Sequence, residues 1–271
     1  MTDAGLDRLR AVTFDFGNTL VPVDRAGLQN VVDVTARAVV ARLGPFERTS
    51  FLEIWAEERE RQFREEVPRF REVDLAERFV RVLARLRGMP SPAQAERWDQ
   101  AAAARLSSPD EVAWALATYS EAFVSGIPPP PSVGPVLERL AARYTLAILS
   151  NWPLAATVDR YVEAAGWAPS LAAVVISERV GTIKPHPVIF EAARQAIGGP
   201  EPGTILHVGD DWAADVLGAA RAGWRTAYVT RRPDDSPLPS SERDASVRPD
   251  LEIDDVAELA GLLEGSTRVS G

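Results

Sequence analysis

The sequence predicts an α/β fold, a parallel sheet flanked by helices and interrupted by an all-helical unit, and three observations carry that reading. A short apolar run, Ala11-Val12-Thr13-Phe14-Asp15-Phe16, breaks into turn chemistry at Gly17-Asn18, as a buried strand does at its end. The next hundred residues show helical spacing with no convincing strand. Beyond Ile127-Pro128-Pro129-Pro130-Pro131-Ser132, a stiff extended connector, short strand-like runs alternate with helical segments. Strands separated by helices of that length form parallel sheets with right-handed crossovers.

Taken in order, Thr13 to Phe16 is the first strand. Helices then follow over 27–43, stopping at Gly44-Pro45, over 50–67, stopping before Pro68, and over 74–86, stopping at Gly88-Met89-Pro90. Ser91-Pro92 opens a fourth helix to about Leu106, and Ser108-Pro109-Asp110-Glu111 caps a fifth to Ser125. Phe51, Trp55, Phe79, Trp114 and Phe123 fall on apolar stripes and read as the core of this bundle. After the proline run come a helix over 133–143, a strand over 145–149, a helix over 154–165 and a strand over 173–176. A helix over 187–197, a strand over 204–208, a helix over 213–222 and a strand over 226–229 continue the alternation. Arg231 to Pro249, rich in Pro, Ser and Asp, reads as a mobile loop. A strand at 251–253 and a helix over 254–263 close the chain, with the last residues expected to fray. The predicted organisation is a core of residues 1–22 and 128–271 with a helical domain of residues 23–127 inserted after the first strand.

Composition narrows the function. The chain of 271 residues carries a formal net charge of −9, which argues against a nucleic-acid or anionic-membrane surface and for a small-molecule partner. With no cysteine, thiol catalysis and thiolate metal sites are excluded, and the ligands left are carboxylates and two histidines, a set suited to a hard cation. Met1 to Arg10 is polar and no run reaches the ~18 apolar residues of a membrane span, so a cytoplasmic protein is expected. Of 30 Lys plus Arg, Lys184 alone is lysine. A biased genome accounts for the arginine excess, but a compact ammonium is also what a tight site needs and an arginine fork cannot supply.

Four predicted strand ends carry polar residues: Asp15; Ser150-Asn151; Lys184 in the loop Gly181-Thr182-Ile183-Lys184-Pro185; and Gly209-Asp210-Asp211, with Asp215 beyond. The carboxyl ends of parallel strands form the ligand crevice. Each residue alone has an ordinary structural reading, Asp15 and Ser150 as caps, Asp210 and Asp211 as turn residues, Asp215 as a first-turn helix acid.

Together, Asp15-Phe16-Gly17-Asn18-Thr19, Ser150-Asn151, Lys184-Pro185 and Gly209-Asp210 with Asp215 resemble, in order, the four motifs of the haloacid dehalogenase superfamily. The resemblance implies a Rossmann-like core with a helical cap domain after the first motif, and a Mg²⁺-dependent phosphatase acting on a small phosphorylated metabolite through an aspartyl-phosphate. It implies Asp15 as nucleophile with Lys184 beside it, and Asp15, Asp210 and the Gly17 carbonyl as metal ligands. Thr19, Ser150 and Asn151 would bind substrate phosphate; behind the metal ligands, Asp215 would partner Lys184 or reach the metal through water, and Asp211 could substitute as a metal ligand. The cap would select substrate, and Arg61, Arg64, Arg69 and Arg71 either meet an anion or form a solvated face with Glu65, Glu66 and Glu72. His186, where the family usually has Asp or Ser, reads as a helix start or a stand-in acid.

One residue departs from the pattern. The family's phosphatases carry, two positions after the nucleophile, an Asp that protonates the leaving group; here it is Gly17. Gly17→Asp is therefore expected to raise turnover tenfold or more, unless Gly17 needs φ > 0 or a cap residue fills the space. The alternative reading is a non-hydrolytic phosphate-binding or regulatory protein on the same fold. Dehalogenase relatives lack the acidic fourth motif, and the phosphonate hydrolase needs a cap lysine that is absent here. Substrate identity and a homodimer are left open.

Overall fold

The computed structural model describes residues 6–267, and side chains to residue 264. The fraying expected of the last residues falls outside the described positions. Contacts divide the chain into two compact units, Met1–Arg25 with Ile127–Gly271, and Ala26–Gly126.

The first unit is a six-stranded sheet. Its strands are β1 (Ala11–Phe14), β2 (Thr145–Ser150), β3 (Ala173–Ile176), β4 (Ile205–Gly209), β5 (Arg225–Val229) and β6 (Leu251–Ile253). They run in the order β3-β2-β1-β4-β5-β6, every pairing parallel. β1, the first strand in sequence, is thus central: Phe14 pairs with Ile148 on one side and Val208 on the other. Its four residues are all buried, which explains a continuous apolar run rather than an alternating one. On one face Ala11, Ala147, Leu149, Val175 and Ile205 pack against Ile189, Phe190, Ala193 and Ala219.

The helices of the second unit are α1 (Arg25–Leu43), α2 (Arg48–Glu66), α3 (Leu75–Leu86), α4 (Gln100–Ala104) and α5 (Pro109–Gly126). Phe51, Trp55, Phe79 and Phe123 are buried as expected, with the Trp55 ring centroid 5.8 Å from Phe51 and 5.0 Å from Phe79. Trp114 is half-buried, under the Arg42 guanidinium at 4.5 Å. The fourth helix is shorter than expected. Pro90 and Pro92 hold residues 88–98 out of helical conformation, and α4 starts only after Asp99, whose carboxylate accepts the Ala102 N–H at 2.8 Å. Arg61 ties that irregular stretch to α2, donating to the Pro92 carbonyl at 2.8 Å and the Ser91 hydroxyl at 3.2 Å. It is therefore a buried structural cation, while Arg64, Arg69 and Arg71 are exposed.

In the sheet unit the remaining helices are α6 (Val133–Ala141), α7 (Ala155–Ala164), α8 (Ser177–Val180), α9 (Pro187–Ala196), α10 (Gly218–Arg221) and α11 (Leu259–Thr267). α6 packs against β2 and α11, and α9 against β2 and β3. The helix expected over 213–222 is a π-helical segment, Trp212–Leu217, running into α10. Residues 230–250 form no regular element, but the expectation of a mobile loop is corrected. The segment is fastened at four residues, Arg232, Ser236, Leu238 and Ser241, to the carboxyl edge of the sheet.

Candidate active site

Parallel strands place their following loops at one edge, and the sequence exploits this at β1, β2 and β4. Asp15 follows β1 directly, its N–H bonded to the Val208 carbonyl at 2.8 Å, so the carboxylate is carried by the most central strand. Ser150 ends β2, and Asp210 follows Gly209 at the end of β4. Lys184 comes from the loop between α8 and α9, and Asn151 clamps that loop. Its Oδ1 accepts the Lys184 N–H at 2.7 Å, and its Nδ2 donates to the Lys184 carbonyl at 3.1 Å. Asn151 thus positions the lysine backbone, a role different from the expected substrate contact.

The Lys184 ammonium is buried and spends its three N–H groups on three acceptors: Asp15 Oδ1 at 2.7 Å, Asp215 Oδ1 at 2.6 Å and the Leu149 carbonyl at 2.9 Å. Asp215 Oδ1 also meets His207 Nε2 at 3.0 Å, and Asp215 Oδ2 accepts the Asp211 N–H at 2.9 Å. A carboxylate only accepts, so His207 carries its proton on Nε2, and its Nδ1 accepts from the Thr13 hydroxyl 2.8 Å away. Burial lowers the His207 pKa and keeps the ring neutral. Gly209 is required by this packing. A Cβ there would lie 2.2 Å from Asp215 Cγ, so any side chain would expel the carboxylate.

The charges are unequally settled. Burial would raise Asp215, but the Lys184 charge and the His207 hydrogen bond outweigh it and leave the pKa lowered. Burial pushes Asp15 up to about 6 against the pull of Lys184, with Asp215 adding to the rise. Asp210 is pushed up to about 8 by burial and then by Asp15 and Asp215, with Arg232 opposing. Asp15, Asp210 and Asp215 each offer an oxygen within 4.8 Å of the others. Such crowding of buried hard oxygen donors fits Mg²⁺, which binds through one or two carboxylates completed by water and phosphate oxygens. Because both Asp215 oxygens are already bonded, Asp15 and Asp210 are the carboxylates suited to hold it, with Asp215 orienting Lys184.

The sign of the pH dependence follows from the two raised groups. From the ordinary carboxylate value of 3.8 upward, folded Asp15, to about 6, and Asp210, to about 8, hold protons that the unfolded chain has released. Above the ordinary histidine value of 6.5, where the lowered His207 no longer acts in the opposite sense, the metal-free protein should therefore lose stability as pH rises towards about 8, whereas the lowered Asp215 matters only on acidification. Mg²⁺ binds the deprotonated carboxylates, so it should raise Tm more at pH 8 than at pH 5. Thermal melts in chelator and in Mg²⁺ measure both trends, and a Mg²⁺ effect larger at pH 5 would contradict them.

Around the nucleophile, Asn18 adopts a left-handed conformation (φ 57°) and folds the loop back so that its Oδ1 accepts the Val23 N–H at 3.1 Å. Thr19 is buried with its hydroxyl unpartnered, and the buried Ser150 hydroxyl, outside hydrogen-bond geometry, still helps hold the Asp15 charge. Two buried hydroxyls, one in the loop after β1 and one at the end of β2, suit incoming phosphate oxygens. Asp211 is engaged elsewhere: Oδ1 accepts the Ala214 N–H at 2.7 Å, and Oδ2 accepts the Ser241 N–H at 2.9 Å. His186 begins α9, its Nδ1 accepting the Val188 N–H at 3.4 Å ahead of Pro187.

Sequence reasoning missed three participants. His207, a lone histidine in an apolar strand, carried a local signal in its position before Gly209-Asp210. Arg232 and Leu238 carried none. Arg232 donates to Asp210 Oδ2 at 3.0 Å and to the Leu238 carbonyl at 3.1 Å. Leu238 Cδ1 lies 2.5 Å, and Trp152 Cζ3 3.1 Å, from where a Cβ on Gly17 would stand. Gly17 is not in a left-handed conformation, and the space a side chain would need is filled by Leu238 and Trp152, residues of the sheet unit and not the expected cap residue.

Comparison with known proteins places this arrangement. A family model described as haloacid dehalogenase-like hydrolase matches residues 9–223. The pyrimidine 5'-nucleotidase YjjG of Escherichia coli is 27% identical over 148 residues, 53% of this chain and 62% of that protein. The glyceraldehyde 3-phosphate phosphatase of Methanopyrus kandleri is 33% identical over 153 residues, 56% of this chain and 63% of that protein. Both matches thus span less than two thirds of the relative. Among solved structures, a 2-haloacid dehalogenase from Pseudomonas syringae superposes over 95% of this chain and 99% of its own, with a TM-score of 0.61 and 23% identity, a likeness of fold.

Proposed function

The chain belongs to the haloacid dehalogenase-like hydrolases, and from that premise we propose that it is a Mg²⁺-dependent phosphohydrolase of a small phosphorylated metabolite, working through a phosphorylated Asp15. The observation that carries the reading is the buried cluster of Asp15, Lys184, Asp210 and Asp215. A carboxylate can attack phosphorus and divide one difficult hydrolysis into two easier steps, provided the charges on both partners are offset. Lys184 holds Asp15 in place through Oδ1, leaving Oδ2 as the attacking atom, and its charge faces the phosphoryl group as negative charge is redistributed. Thr19 and Ser150 present hydroxyls to the phosphoryl oxygens. Mg²⁺, held by Asp15 and Asp210 and by the Gly17 carbonyl that the family pattern implies, supplies further neutralisation when bound. The acidic Asp210, together with one relative named as a nucleotidase and one as a phosphatase, favours phosphoryl over halide chemistry.

A second reading has its own observation. Gly17 has no proton to give, which favours a protein that binds phosphate on this fold without turning it over. Turnover separates the two. Assayed against a panel of phosphorylated metabolites, the protein should release inorganic phosphate in Mg²⁺ and stop in chelator. Saturable binding of phosphate compounds with no release from any of them would favour the second reading.

No described helix is long and apolar enough to cross a membrane. We take the partner to be a small molecule in the cytoplasm, with no nucleic acid, as the acidic composition suggests.

A further inference from the structure

Resting on the phosphohydrolase reading, we infer that the site is built for phosphoryl donors whose leaving group departs as a stable anion, namely acyl phosphates and phosphoanhydrides. An alkyl phosphate releases an alkoxide, which needs a proton as the P–O bond breaks, and a positioned acid is worth ~10²–10⁴ in rate. The place where the family pattern puts that acid is filled with carbon. Gly17 is buried, and the volume a side chain there would need is taken by Leu238 Cδ1 and the Trp152 ring.

The filling is held in place rather than draped. Arg232 bonds the Leu238 carbonyl at 3.1 Å and the Pro239 carbonyl at 3.4 Å while paired with Asp210. Ser236 accepts from Asn18 Nδ2 at 3.0 Å, on the residue next to Gly17. Ser241 donates its N–H and its hydroxyl to Asp211, each at 2.9 Å, and accepts the Ala213 N–H at 2.6 Å. Three polar anchors therefore hold the backbone on both sides of an apolar residue that stands against Gly17 and offers no proton.

The chemistry balances without an acid. An Asp15 oxygen forms a bond to phosphorus, the P–O bond to the leaving group breaks, and the leaving group takes the electron pair as a carboxylate or phosphate anion. Water then attacks the same phosphorus. The bond to Asp15 breaks, the carboxylate is regenerated as an anion, and both protons of water leave on dihydrogen phosphate. In that second step too the leaving group is a carboxylate, so neither half requires a proton donor for departure.

Leaving-group dependence tests the inference. With Mg²⁺ present, kcat/KM for acetyl phosphate should exceed that for ethyl phosphate at least ~100-fold, and across substituted aryl phosphates it should fall steeply as the phenol becomes more basic. The pair Gly17→Asp with Leu238→Ala removes the nearer of the two occupants and installs the acid, and should narrow the acetyl-to-ethyl ratio tenfold or more through a gain on ethyl phosphate. A flat aryl series, or comparable acetyl and ethyl values, would overturn the inference, since an acid would then be reaching the leaving group. So would a double variant with parental Tm and Mg²⁺ affinity and an unchanged ratio. If the double variant does not fold, the series on the parent protein decides. No turnover of any donor, acetyl phosphate included, would instead refute the phosphohydrolase reading on which the inference stands.

Discussion

Asp15→Asn is expected to remove turnover by on the order of 10⁴–10⁶-fold, the scale seen when a covalent nucleophile is deleted. The amide has the shape of the carboxylate, and its oxygen can still accept the Lys184 hydrogen bond now made at 2.7 Å, so the loop geometry should survive. What disappears is a nucleophilic oxygen and one of the negative charges that crowd the site. Tm should stay within a few degrees of the parent, because the substitution also relieves repulsion among three buried carboxylates. Mg²⁺ affinity should fall tenfold or more, as Asp210 is left to hold the ion. Activity near the parental level in Mg²⁺ would remove Asp15 from its role.

Lys184→Arg, which conserves charge, should cost about 10²–10³-fold in kcat/KM, comparable to the loss of a preorganised donor to developing charge. The ammonium directs three N–H groups at Asp15, Asp215 and the Leu149 carbonyl from a site 2% exposed. A guanidinium is planar and larger, so it cannot converge on three acceptors around one nitrogen. Overpacking should also lower Tm. Burial by itself would lower the lysine pKa, but Asp15 and Asp215 raise it above the ordinary value, so the parent stays charged across the working range. A near-normal kcat/KM in the variant would mean that the sole lysine is an accident of composition.

How far the sequence could be read follows from which contacts are local. β1, β2 and β4 were legible because apolar runs end abruptly in polar residues, and parallel strands then had to bring Asp15, Ser150 and Asp210 to one edge. Lys184 was legible from its rarity, although the Asn151 clamp that positions it was not, since the two residues lie 33 apart. α4 was overextended because Ser91-Pro92 resembles a helix start, while the cap that operates is Asp99. The segment from Arg232 to Ser241 was read as free because its composition is that of a loop. Its anchors, Asn18 at a separation of 218 residues and Asp211 at 30, leave no periodic trace. Gly17 stood out as a missing acid, but only the fold shows that Leu238 fills its place.

The central claim is that Asp15 carries the phosphoryl group. Rapid mixing of the Mg²⁺-loaded protein with acetyl phosphate, followed by an acid quench and borohydride reduction, converts an aspartyl-phosphate to homoserine at the labelled residue. Mass spectrometry should find homoserine at position 15 during turnover and none after substrate is exhausted or in Asp15→Asn. Phosphate release with position 15 unmodified throughout the time course, or homoserine at another aspartate, would contradict the account.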